Sequence, residues 1–326
     1  MALLSVRDLT TYYGTGPDPV RAVDGISFDV EQGEILGLVG ESGCGKTTVG
    51  FSLMRLLPIS ARTVAGQALL EGEDLLRLPA EDLRRLRGNR MAMIFQDPMT
   101  SLDPAFSVGE QIAEPLREHL GLGGAAARSR AIDLLTQVGI PSPDAQLRRY
   151  PHEFSGGMRQ RVVIAIALAC DPSLLICDEP TSALDVTIQA QILGLLRALQ
   201  REHQKTSIIM ITHDLGVVAQ LCHRVAIMYA GKIVEQGPVR DIFNSPRHPY
   251  TQGLLASLPG RVPRGEPLRQ IDGTVPDLRR PPAGCRFAPR CPHARPICLA
   301  PPPMNVVGRQ QVACVLYNQD DARVPA

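Results

Sequence analysis

A chain of 326 residues with 34 lysines and arginines against 33 aspartates and glutamates carries a formal net charge of only +1. It is long enough for one large core with subdomains or two modest ones, and its balanced charge argues against nucleic acid as the main partner. Its longest apolar stretches, such as 162–170, stop well short of the roughly 18 to 20 residues that cross a bilayer, and Arg7 and Asp8 stand where a secretory signal would be apolar, so a cytosolic protein is expected.

In chain order, 4–9 and 26–30 alternate apolar and polar residues, and Glu34-Ile-Leu-Gly-Leu-Val39 reads as a buried strand ahead of a glycine cluster. Residues 47–57 return apolar side chains at helical spacing up to Pro58, giving strand, glycine-rich turn and helix in succession. Met91 to Phe95 is a further short strand, broken by Gln96-Asp-Pro. Residues 99–158 change to a helical pattern, with a loose joint at Gly121 to Gly124. Leu174 to Cys177, Ser207 to Ile211 and Arg224 to Met228 then read as buried strands separated by helices, which predicts a parallel sheet. Beyond Pro246, prolines recur too densely for a long helix, and four of the eight cysteines crowd into this last segment.

Gly40-Glu-Ser42-Gly43-Cys44-Gly45-Lys46-Thr47 fits the phosphate-binding loop G-x-x-x-x-G-K-[ST]. Its glycines let backbone N–H groups converge on phosphates at the positive end of the following helix, which continues through Thr48. Lys46 reaches the β/γ oxygens and the Thr47 hydroxyl can ligate Mg²⁺. Cys44, at a helix N-terminus, is placed where a thiol pKa tends to fall, although a small residue tolerated by the loop is the plainer reading. Leu174-Leu-Ile-Cys-Asp178-Glu179 sets two carboxylates at the end of a buried strand, where ligands bind in open α/β sheets. Asp178 would hold the metal through water and Glu179 would act as general base, although such a pair by itself equally suits a solvated turn. Ser155-Gly156-Gly157 opens a further helix and so offers a second anion-gripping start. With one complete phosphate loop already present, it makes most sense closing on nucleotide held by another subunit.

These residues resemble the signature of ATP-binding-cassette (ABC) ATPases, and the family's other motifs follow in order. Gln96 resembles the glutamine that senses metal and γ-phosphate. Ser182-Ala-Leu-Asp185 resembles the loop that crosses the dimer seam, and His213, in Thr212-His213-Asp214, resembles the switch histidine. Tyr13 stands where the family stacks an aromatic on adenine, with Tyr12 a close competitor. Phe95-Gln-Asp-Pro-Met-Thr-Ser-Leu102, Tyr150-Pro-His-Glu153, Met158-Arg-Gln-Arg161 and Ser245-Pro-Arg-His-Pro-Tyr250 are similar to the D-type ATPase of dipeptide, oligopeptide and nickel importers. Asp103 and Thr47 depart from the usual asparagine and serine without removing a required group.

The resemblance implies an α/β fold: a P-loop NTPase (RecA-like) core over 1–98 and 159–245 with an N-terminal antiparallel β subdomain, a helical subdomain over 99–158, and an extension over 246–326. It also implies ATP and Mg²⁺, and a paired cassette that is either a sister F-type subunit or a second copy. Two transmembrane permease subunits, an external substrate-binding protein acting indirectly and a place at the cytoplasmic face of the membrane follow from it too. Peptide, nickel and glutathione remain as cargo. A soluble cassette acting on nucleic acid or ribosomes is the competing class, disfavoured by the single phosphate loop, the absence of sustained heptads and the balanced charge. Cys285, Cys291, Cys298 and Cys314 are spaced as four thiolates around one metal centre, and the spacing does not choose between iron–sulfur and zinc. The similar importer tails imply a [4Fe–4S] cluster, with Zn²⁺ the alternative; a proline-rich tail is expected to have little core in which to bury four plain cysteines.

Overall fold

The computed structural model describes residues 2–182, 184–202, 205–258 and 270–318. Alternating segments open the chain as β1 (Ala2–Tyr13) and β2 (Val20–Glu31), and the apolar run Ile35–Val39 is β3. After α1 (Lys46–Met54) come β4 (Ala61–Leu70), β5 (Glu73–Asp74), α2 (Ala80–Leu86) and β6 (Met91–Ile94). Helices α3 (Pro98–Ser101), α4 (Val108–Leu120), α5 (Gly124–Gln137), α6 (Pro143–Gln146) and α7 (Gly156–Ala167) follow. Strand and helix then alternate through β7 (Leu174–Asp178), α8 (Val186–Glu202), β8 (Ser207–Thr212), α9 (Leu215–Leu221) and β9 (Arg224–Tyr229). The last elements are β10 (Lys232–Pro238), α10 (Val239–Asn244), α11 (Pro249–Ala256), β11 (Met304–Val307) and β12 (Gln310–Ala313). No helix among the described residues is long and apolar enough to cross a membrane.

The chain divides into two compact units. The first comprises Met1–Leu4, Val30–Ile35 and Leu70–Ile211. In it β6, β7 and β8 run parallel, with Met91 opposite Leu174 and Leu174 opposite Ser207, and every residue of the three strands is buried. Such strands need cover on both faces, which is why their sequences are apolar at successive positions instead of alternating. α4, α5 and α7 pack on one another, and α7 also packs on β6. α4 is started by a capping box between Ser107 and Glu110 and stopped by Gly121, whose φ of +63° satisfies the last carbonyls.

The second unit comprises Ser5–Asp29, Leu36–Leu69 and Thr212–Ala326. β3 and β9 are parallel, but β10, β12 and β11 continue the sheet antiparallel. The parallel sheet expected from the strand and helix alternation therefore stops at β9. Only Ala230 and Gly231 separate β9 from β10, both at positive φ, and a two-residue hairpin turn is too short for the crossover a parallel partner requires.

The core of this unit joins Val39, Ile227, Tyr229, Tyr250 and Phe287, with Ile271, Val275, Leu278, Cys285 and Cys291 packed against it. Tyr229, Tyr250 and Phe287 form an aromatic triangle with centroids 4.6, 5.2 and 5.4 Å apart. The tail thus obtains its core from β9 and α11, which corrects the expectation that a proline-rich segment has little core in which to bury its cysteines.

Candidate functional site

The phosphate loop lies in the second unit, between the buried β3 and α1. A Cβ on Gly40 would lie 2.1 Å from the Met228 carbonyl oxygen, and one on Gly45 would lie 2.0 Å from that of Ala22, so neither position admits a side chain. Gly45 has φ +104° and stands at the N-cap of α1, where a helix start directs its first-turn N–H groups and its positive dipole end toward an anion. Lys46 is 5% exposed, and its Nζ donates to the carbonyls of Gly40 (2.8 Å) and Glu41 (3.0 Å). Ser42, Gly43 and Thr47 are exposed along the loop, and Thr48 is buried behind it.

Of the two competing tyrosines, Tyr13 adjoins this loop, its hydroxyl 3.2 Å from Thr48 Oγ1. The Tyr12 hydroxyl instead donates to Asp24 at 3.0 Å. His213 is exposed directly beyond β8, ahead of α9, whose first turn is capped by Asp214. Cys44 departs from the lowered thiol pKa considered for a helix start. The side chain is 1% exposed, and burial pushes its pKa up against the smaller opposing pull of Lys46.

The first unit gathers the other expected site residues. Asp178, 2% exposed, ends β7, and Glu179 follows at φ +46°, an uncommon backbone for a non-glycine residue. The Glu179 N–H donates to the Ile211 carbonyl at 2.9 Å, and Ser182 Oγ donates to the Glu179 carbonyl at 3.1 Å, which hold the turn. Gln96, just beyond β6, donates from Nε2 to Glu179 Oε2 at 3.2 Å across 83 residues of sequence. Ser155 caps α7 by accepting from the Met158 N–H, and Asp185 caps α8 by accepting from the Ile188 N–H at 2.9 Å. A Cβ on Gly157 would meet Ile188 Cγ2 at 2.8 Å, so the glycine lets the two helix starts approach closely, and Gly156 lies beside Leu184. Ser155 to Gly157 and Asp185 are brought together in this way, as are Gln96, Asp178 and Glu179.

In the tail, Cys285, Cys291, Cys298 and Cys314 line one small apolar cavity together with His248, Phe287 and His293. None of the four is in a disulfide. Backbone N–H groups of His293 and Arg295 donate to the sulfurs of Cys291 and Cys298, each at 3.4 Å. Burial raises the thiols of Cys285 and Cys291 and pushes that of Cys314 up to about 11. His248, 1% exposed, is pushed down to about 3 by burial and caps α11 through Nδ1. Among the described residues no group of three or more His, Cys, Asp or Glu is placed as the ligands of a metal ion, so the expected four-thiolate zinc or iron–sulfur centre is not found as a formed metal site.

Local motifs did not point to the residues that fasten the tail to the phosphate loop, to β2 and to the turn between β9 and β10. Arg290 reaches Glu41, Tyr250 reaches the Glu41 N–H, and Arg286 pairs with Asp24 and the Ala230 carbonyl. The only sequence signal was indirect: Tyr250 closes the Ser245-Pro-Arg-His-Pro-Tyr250 run, and the two arginines sit directly beside Cys285 and Cys291.

Residues 23–182 match the ABC transporter family, and residues 234–298 match the family described as oligopeptide/dipeptide transporter, C-terminal region. The chain is 53% identical over 301 residues to the dipeptide transport ATP-binding protein DppD of Bacillus subtilis, covering 91% of this chain and 88% of that protein. It is 48% identical to DppD of Escherichia coli over 326 residues, covering 100% and 99% of the two chains. With the oligopeptide transport ATP-binding protein OppD of Escherichia coli it shares 50% identity over 304 residues, 93% and 90% of the two chains. Among solved structures, a dimeric post-hydrolysis ATP-binding cassette bound to ADP and Pi superposes with a TM-score of 0.65 at 26% identity, covering 73% of this chain and 99% of that one. With a glycine-caged phosphate loop in one unit, a capped Ser-Gly-Gly helix start in the other and near-complete coverage of these relatives, the chain belongs to the family of ABC transporter ATP-binding proteins, in the branch that carries the oligopeptide/dipeptide transporter C-terminal region.

Proposed function

We propose that this protein is the ATP-binding and ATP-hydrolysing subunit that powers an ABC importer of dipeptides and oligopeptides. The observation that carries the reading is about half identity, over nearly the whole chain, to dipeptide and oligopeptide transport ATP-binding proteins, tail included. Lys46, Thr47 and the N–H groups at the start of α1 hold the triphosphate and its Mg²⁺, and Tyr13, the tyrosine beside Thr48, stacks on the base. Asp178 supports the metal through water. Glu179, oriented by Gln96, takes the proton of the attacking water, and His213 contacts the γ-phosphate.

The Ser155 to Gly157 helix start and Asp185 serve nucleotide held by a paired cassette, either a sister subunit or a second copy. Closure on ATP and reopening on hydrolysis are passed to two permease subunits at the cytoplasmic face of the membrane, with an external binding protein delivering the peptide. The test is ATPase activity of the complete complex with its binding protein. Stimulation by a dipeptide is the expected result, whereas stimulation by nickel or glutathione alone would move the cargo elsewhere, and an ATPase indifferent to the permeases would overturn the importer reading.

For the tail we assign a [4Fe–4S] cluster to Cys285, Cys291, Cys298 and Cys314 in preference to zinc. The donor set of four thiols around one apolar cavity, two with N–H groups directed at sulfur, suits a cluster. Such a group would supply cohesion to the tail. Protein purified without oxygen is expected to be brown and to hold about four irons and four sulfides per chain; a colourless protein with one zinc would reverse the assignment.

A further inference from the structure

Glu41 is the first variable residue of the phosphate loop, and besides the Cys44 N–H, which donates to its carbonyl at 3.3 Å, three contacts hold it. Its carbonyl accepts from Lys46 Nζ at 3.0 Å, its N–H donates to the Tyr250 hydroxyl at 3.1 Å, and its carboxylate accepts from Arg290 Nη1 at 3.0 and 3.3 Å. The Arg290 side chain is 6% exposed and every arm of it is committed. Nε donates to the Asp272 carbonyl at 2.9 Å, Nη2 to the Ile271 carbonyl at 3.1 Å, Nη1 also to the Tyr229 hydroxyl at 3.3 Å, and the guanidinium lies 5.7 Å from the Tyr229 ring centre. A buried arginine with each of its three nitrogens engaged is a fixed point, because shifting it breaks several charge-assisted bonds at once. Lys46 is a different kind of partner. An ammonium that turns to a phosphate gives up its carbonyls, while Arg290 and Tyr250 need not move.

A carboxylate inside a triphosphate-binding loop also opposes the ligand's charge, and its field is reduced when a guanidinium is paired with it. We propose that Arg290, from the C-terminal extension, is a positioning residue for ATP. It holds Glu41 away from the phosphates, neutralises it, and so keeps the loop's N–H groups aimed at the nucleotide. The extension, on this view, sets the ATP affinity of the cassette as well as completing its core.

The proposal rests on the chain binding ATP at this loop, and the experiment separates the two. MgATP affinity of the full chain is measured for wild type, R290K, R290M and R290M/E41Q, alongside hydrogen exchange of residues 40–46 and KM and kcat in the complete transporter. R290M is expected to weaken MgATP binding and raise KM by about tenfold or more, the scale set by removing one member of a part-buried charge pair, with a much smaller change in kcat and faster exchange in the loop. R290K keeps the charge but not the fork and falls between. R290M/E41Q recovers most of the affinity, because the uncompensated charge is gone. Wild-type affinity in R290M and R290K overturns the proposal, as does a loss in R290M that E41Q does not relieve. If R290M fails to fold, R290K alone decides. Absence of MgATP binding by the wild type would instead sink the ATPase reading.

Discussion

Glu179→Gln is expected to slow ATP hydrolysis by about two to four orders of magnitude, the usual contribution of a positioned general base, while MgATP still binds. Glutamine has the shape of glutamate but cannot take a proton from water, so the substitution isolates chemistry from fold. The local geometry supports that separation. The turn is held by main-chain contacts, Glu179 N–H to the Ile211 carbonyl and Ser182 to the Glu179 carbonyl, none of which needs the carboxylate. The positive φ of residue 179 costs the variant and the wild type the same. The side-chain contact from Gln96 Nε2 at 3.2 Å is kept by the glutamine carbonyl. Single-turnover hydrolysis in the complete transporter is the check. A variant that turns over at the wild-type rate would remove Glu179 from the role of base and direct attention to His213.

The second large effect is expected at Gly45. Gly45→Ala places a methyl group 2.0 Å from the Ala22 carbonyl oxygen and 3.0 Å from its carbon, at φ +104°. The obstacle is β2 backbone, so no side-chain rotation relieves it. Either the loop or the strand must move, and the start of α1 moves with the loop. MgATP binding should be lost and the unfolding free energy lowered by roughly 3 kcal/mol or more if the overlap is only partly relaxed. Gly43→Ala provides the contrast. Gly43 also has positive φ, +78°, but a Cβ there meets nothing within 4 Å. Only the conformational cost remains, about 1 to 2 kcal/mol for a residue forced into the left-handed region. Denaturant unfolding of the two variants side by side distinguishes steric exclusion from conformational strain. Equal destabilisation would mean that the close approach at Ala22 does not constrain the loop.

Much of the functional chemistry was legible along the chain because it is local. A phosphate loop is a contiguous stretch of backbone whose glycines and lysine must occur at fixed spacing, so Gly40 to Thr47 declares itself without any tertiary information. The same holds for Ser155 as a helix cap and for the acids that end β7, since capping and strand-end placement are decided within a few residues. The buried strands β3, β6, β7 and β8 could be read for a related reason: cover on both faces demands an unbroken apolar run.

What the tertiary structure alone decided depends on burial and on partners distant in sequence, neither of which follows from spacing. Cys44 shares the helix start that lowers thiol pKa values, yet 1% exposure outweighs it. Tyr12 and Tyr13 are adjacent in β1 and point to opposite faces, so only the folded strand separates the one beside Thr48 from the one bonded to Asp24. The antiparallel continuation beyond β9 came from a two-residue turn that apolar patterning does not reveal. The hold on Glu41 joins residues 209 and 249 positions apart, and a part-buried charge pair of that separation leaves no periodic trace. Local motifs specify which atoms do chemistry, and only the packed chain shows which distant side chains hold them in place.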